Sequence, residues 1–122
     1  MAINELYAEN TGQISPVVGG TAAVDTGWVS LAGFLRWTAL VIVGAQAGVT
    51  VTAQQATDAS GTGAKEWPVN GASSVAFTSG TDDNTCKVID LDWPEYGYGR
   101  LTLTPAGSSS VAAVLLGVQN KS

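Results

Sequence analysis

Residues 49–65 read VTVTAQQATDASGTGAK. Val49, Val51, Ala53 and Gln55 alternate with Thr50, Thr52 and Gln54, the two-residue period of a strand that buries one face and wets the other. The alternation stops at Thr57-Asp58-Ala59-Ser60-Gly61-Thr62-Gly63. These residues favour turns because their short side chains bond nearby backbone or tolerate positive φ. A half-buried strand closed by a polar loop is the repeating unit of an antiparallel sheet. Nothing in it pairs a nucleophile with a base.

The same punctuation recurs on either side. Gly27-Trp28-Val29-Ser30-Leu31 puts Trp28 and Ser30 on one side of a strand and Val29 and Leu31 on the other. Ala32-Gly33 reads as a turn or bulge. Residues 34–43 form the longest apolar candidate, and the β-branched Val41-Ile42-Val43 predicts a central strand buried on both faces. Gly44-Ala45-Gln46-Ala47-Gly48 has the length of a hairpin connection into the next strand. Further strands are predicted over residues 65–69, 74–77, 85–92, 98–104 and 111–119, the last as a central strand. An Asn70-Gly71 turn and the polar loops 79–84 and 105–110 separate them. No stretch combines a helical apolar period with caps, and Gly, Thr and Val stand where a helix would need Leu, Glu and Lys.

Strands of this number and spacing predict an all-β fold. The expectation is an antiparallel β-sandwich, jelly-roll-like or Greek-key, or else a small barrel. Residues 1–18 mix Asn, Glu, Tyr and Gln without a period and run into Gly19-Gly20. They read as an extended N-terminal arm, either frayed or ordered on a neighbouring subunit, ahead of one domain over residues 19–122.

Composition narrows the function. The chain has 122 residues, of which 45% are apolar and 12% charged, the latter about half the usual ~25%. A surface of Thr, Ser, Ala and Gly loses little on desolvation, which points to extensive protein contact in an assembly. Net charge is −5 without histidine. Arg36, Lys65, Lys87, Arg100 and Lys121 are scattered, whereas phosphate binding needs clustered cations, so no nucleic-acid partner is expected. The start Met1-Ala2-Ile3-Asn4-Glu5 lacks the basic and apolar segments of a signal peptide. The apolar runs 38–44 and 111–118 fall short of the ~20 residues that span a bilayer, so a soluble protein without a membrane partner is expected.

The candidate chemical sites dissolve on inspection. Without histidine there is no serine or cysteine triad of the usual kind. The lone Cys86 excludes an internal disulfide, is consistent with assembly in a reducing cytoplasm, and reads as a small buried hydrophobe. Asp90 and Asp92 share a strand face near Glu95 and are the best metal candidates, but they lack the Asp/Asn/Gly alternation of a calcium loop. They read instead as a solvated strand end. Asp82-Asp83-Asn84 reads as a self-capping turn. Ser60 to Lys65 is no phosphate loop, because Glu66-Trp67-Pro68 cannot open a helix. No catalytic residue, cofactor or metal ligand is assigned, and an enzyme is not expected.

The aromatics divide in two. Trp28, Phe34 and Trp37 sit in apolar strands and are predicted core. Trp67, Trp93, Tyr96 and Tyr98 flank Pro or Gly in loops. There they either tuck under the core's edge, anchor a protein interface or stack on carbohydrate.

The segment QQATDASGTGAK, followed by Thr81-Asp82-Asp83-Asn84 and an apolar, Gly-rich end, resembles small proteins from the head-gene modules of tailed bacteriophages. The likeness extends from Asp25-Thr26-Gly27-Trp28-Val29 through Arg100-Leu101-Thr102-Leu103 to Val114-Leu115-Leu116-Gly117, while Trp93-Pro94-Glu95-Tyr96 departs from it. The resemblance implies a virion structural protein, made in the host cytoplasm, that decorates and stabilises the capsid exterior. It would do so as a dimer or trimer bridging major capsid protein subunits. The contact residues expected on that basis are Ile3, Leu6 and Tyr7 of the arm with Trp67, Trp93 and Tyr96. The alternatives are a head–tail connector or tail component, and a carbohydrate-binding module for host attachment.

Overall fold

In a computed structural model that describes the backbone of residues 5–121 and the side chains of residues 9–119, every regular element is a strand. They are β1 (Glu5–Gly20), β2 (Val24–Asp25), β3 (Val29–Ser30), β4 (Arg36–Val43), β5 (Val49–Ala56), β6 (Lys65–Glu66), β7 (Val75–Phe77), β8 (Cys86–Leu91), β9 (Tyr98–Pro105) and β10 (Ser109–Lys121). One sheet has the order β1-β10-β4-β8; the other has β2-β9-β5-β6, with β3 also on β9 and β7 also on β5. All pairings are antiparallel.

Taking β2 with β3, and β6 with β7, as broken edge strands leaves two sheets of equal width. The chain then crosses between them at β1–β2, β3–β4, β4–β5, β7–β8, β8–β9 and β9–β10. That winding is the jelly roll, an antiparallel β-sandwich built from two Greek keys. Of residues 1–18, read as an arm, those from Glu5 onward run in β1, which ladders along β10 from Glu5↔Lys121 to Gly20↔Ser109 with three register shifts.

The two-residue period sets the core. Trp37, Ala39, Val41 and Val43 of β4 face Val49, Val51 and Ala53 of β5 and Leu101 and Leu103 of β9. Val111, Ala113 and Leu115 of β10 and Ile89 of β8 complete the layer, nearly all of it below a tenth exposed. As expected, β10 is central, between β1 and β4. The Asn70-Gly71 turn also forms, with φ of 50° and 73°, the doubly positive geometry of a tight hairpin. Amide–carbonyl bonds of 2.9 Å in both directions between Val69 and Ala72 close it.

Two expectations need correcting. Residues 44–48 are not a hairpin, because β4 and β5 lie in different sheets. Each is a central strand with both edges taken by other strands, β4 by β8 and β10 and β5 by β9 and by β6 with β7, so the link is a corner between layers. Buried Gln46 pins it: Nε2 donates to Thr78 O (2.8 Å) and Asp83 Oδ1 (2.9 Å), and Oε1 accepts from Gly48 N (2.6 Å). The strand expected over residues 65–69 is only Lys65–Glu66, because Pro68 lacks the N–H a ladder needs.

Candidate functional site

The outer faces of the two sheets differ in chemistry. On the β9–β5 pair the outward rows are Thr50↔Thr104, Thr52↔Thr102 and Gln54↔Arg100. Arg100 closes the last row by donating to Gln54 Oε1 from Nε (3.1 Å) and Nη2 (2.7 Å). This is the wetted face expected of a sandwich.

On the β10–β4–β8 sheet the outward rows are Val114–Leu40–Val88 and Ala112–Ile42–Cys86, followed by Leu116–Thr38–Asp90. Ile42 is 50% and Val88 62% exposed, and Leu40, Val114 and Leu116 are half-buried. Residues 34–43 therefore have the apolar run of a doubly buried strand but only one covered face. The second face has no layer within the described residues. Two connected grooves cross it, of about 250 and 190 Å³, sharing Pro16, Ile42 and Ala112.

Cys86 belongs to this face and is exposed, contrary to its reading as a buried hydrophobe. The period of β8 explains this: Ile89 and Leu91 point to the core, so Cys86, Val88 and Asp90 point away. The sequence points to loop aromatics as contact residues, whereas the apolar side chains of this outer face are Leu40, Ile42, Val88 and Val114. The available signal was the lack of polar alternation through residues 39–43 and 111–116.

The aromatics gather at one end of the sandwich. Trp37 meets Phe34, Trp67 and Trp93 edge-on at centroid distances of 6.3, 6.0 and 5.4 Å. Trp67 is fully buried and cannot serve as a surface contact. Its ring fits because Gly99 has no side chain: a Cβ there would sit 2.5 Å from it. Trp93 is 70% exposed, Tyr96 is half-buried, and so is Trp28, which lies under the Arg100 guanidinium rather than in the core. Ile3 lies outside the described residues, as do the side chains of Leu6 and Tyr7.

The acidic candidates serve local structure. Asp82 Oδ2 accepts from Thr78 N (2.6 Å), and Asp83 Oδ1 accepts from Gln46 Nε2 (2.9 Å) and Gly80 N (3.2 Å). Asp58 Oδ1 accepts from Ser60 N (2.9 Å) and Thr62 N (3.1 Å), and hydrogen bonding, Thr62 foremost, holds its carboxyl below the ordinary aspartate value. Glu95 pairs with Lys65, whose ammonium is held above its ordinary value by that hydrogen bond. Asp90 lies on the outer face of β8, and its backbone N–H donates to Asn70 Oδ1 (2.8 Å). Among the described residues no group of three or more His, Cys, Asp or Glu is placed to hold a metal ion, and no helix is long and apolar enough to cross a membrane.

Compared with known proteins, the chain matches no protein-family model, no curated protein and no solved structure.

Proposed function

We propose that the protein is a virion structural protein of a tailed phage, which decorates and stabilises the capsid by bridging major capsid protein subunits. The observation that carries this reading is the apolar outer face of β10, β4 and β8, set against the threonine-lined face opposite. Strands apolar on both faces are built to be covered on both, and exposed patches of this kind mark protein contacts. The low charge and the phage-like segment at residues 54–65 support the same reading. So, by analogy alone, does the jelly roll, a fold used by viral capsid domains among others.

Magnitude sets how such a protein holds on. From strand spacing and rise, the apolar rows cover roughly 300–400 Å², about half of the ~800 Å² each partner contributes to a stable interface. One face on one site therefore binds weakly. An oligomer that engages several sites on a repeating shell gains by effective concentration, and separation of the bridged subunits then requires breaking all contacts together. As an outermost strand, β1 offers its edge for strand addition between protomers.

Cryo-electron microscopy of purified particles with gel densitometry tests the reading. Decoration predicts hundreds of copies at regular positions on the shell, whereas about a dozen at one vertex would move the protein to the connector or tail. Absence from the particle would overturn the virion assignment.

A further inference from the structure

We propose that the cleft beneath Trp93 binds a hexopyranose unit of an oligosaccharide. The cleft lies at the aromatic end of the sandwich, between residues 31–34 and 93–97, and encloses about 360 Å³. Trp37 and Phe34 line it on one side, and Trp93, Glu95 and Tyr96 on the other.

A 70% exposed indole on a loose loop would be unremarkable, but this loop is held. Trp67 Nε1 donates to Asp92 O (2.5 Å), and Asp92 N donates to Pro68 O (3.3 Å). Buried Gln55 accepts through Oε1 from Glu95 N (2.7 Å) and Tyr96 N (3.1 Å). The fold thus fixes a loop whose largest side chain faces solvent, so little conformational freedom remains to be lost when that side chain binds.

The polar groups decide the class of ligand. The Glu95 carboxylate is 72% exposed and carries Lys65 beside it; Trp37 Nε1 is buried without a hydrogen-bond partner. An apolar protein surface laid over this cleft would desolvate the Glu95–Lys65 pair with no return. A sugar ring offers a C–H face to the indole and hydroxyls to the carboxylate of Glu95, which lines the cleft. The inference is independent of the capsid assignment.

The test is titration of the purified chain with hexasaccharides of glucose, galactose, mannose and N-acetylglucosamine, followed through the indole N–H resonances. At least one sugar is expected to shift the Trp93 and Trp37 signals saturably. Trp93→Ala should weaken binding about tenfold or more, and Trp93→Tyr should retain it within a few-fold. Melting temperatures of both variants should stay near the parent's, which separates binding from folding. The proposal is overturned if no sugar shifts these signals at about 10 mM, or if Trp93→Ala binds as tightly as the parent. Loss of particle attachment in Trp93→Ala without sugar binding would likewise overturn it, in favour of a protein contact.

Discussion

Replacing Trp67 with alanine should destabilise the domain by about 4 kcal/mol and lower its melting temperature by roughly 15 °C. The indole is fully buried, stands edge-on to Trp37 at 6.0 Å and donates to Asp92 O. Truncation removes the ring's apolar burial and leaves a cavity that the surrounding ladders cannot close. It also strips the Asp92 carbonyl of its donor, which adds to the loss. Gly99→Ala should act in the same direction from the opposing strand, since its methyl group would enter the space of the ring. Thermal melts followed by circular dichroism measure both. A fall of less than about 3 °C for Trp67→Ala would contradict the placement of this ring at the centre of the aromatic end.

The second large effect concerns assembly rather than stability. The double variant Ile42→Asp/Val88→Asp should remain folded, because both side chains point away from the core and are at least half exposed. Its attachment to particles should fall about a hundredfold or more. Each carboxylate would have to be buried without a partner, at a cost of several kcal/mol, and every ~1.4 kcal/mol is a factor of ten. Thr52→Asp/Thr102→Asp places the same charges on the opposite face and should leave attachment unchanged. Pelleting of labelled protein with particles gives both numbers. Equal loss in the two variants would point to charge repulsion by the whole protein instead of a specific face.

The strands were legible because alternation is local: β5, β8, β9 and β10 fall within two residues of their expected positions at every end. Sheet membership was not, because it depends on partners far along the chain. A short link such as residues 44–48 looks alike whether it closes a hairpin or turns a corner. Trp67 misled for a related reason. Beside Pro68 it reads as a loop aromatic, and only Gly99, on a strand that packs against it, makes its buried place possible. The apolar face was half legible. Residues 34–43 announce a strand buried on both sides, but the described residues supply one covering layer, and the proposed function assigns the other to a partner.

That the uncovered face is the capsid contact can be tested most directly through Cys86, an exposed thiol in the row of Ile42 and Ala112. The measurement is the rate of maleimide labelling of this thiol in purified particles and in the free chain at low concentration. The account predicts fast labelling of the free chain and at least about tenfold slower labelling in the particle, the protection expected of a closed interface. Equal rates in the two would show the face open in the assembly and contradict the account.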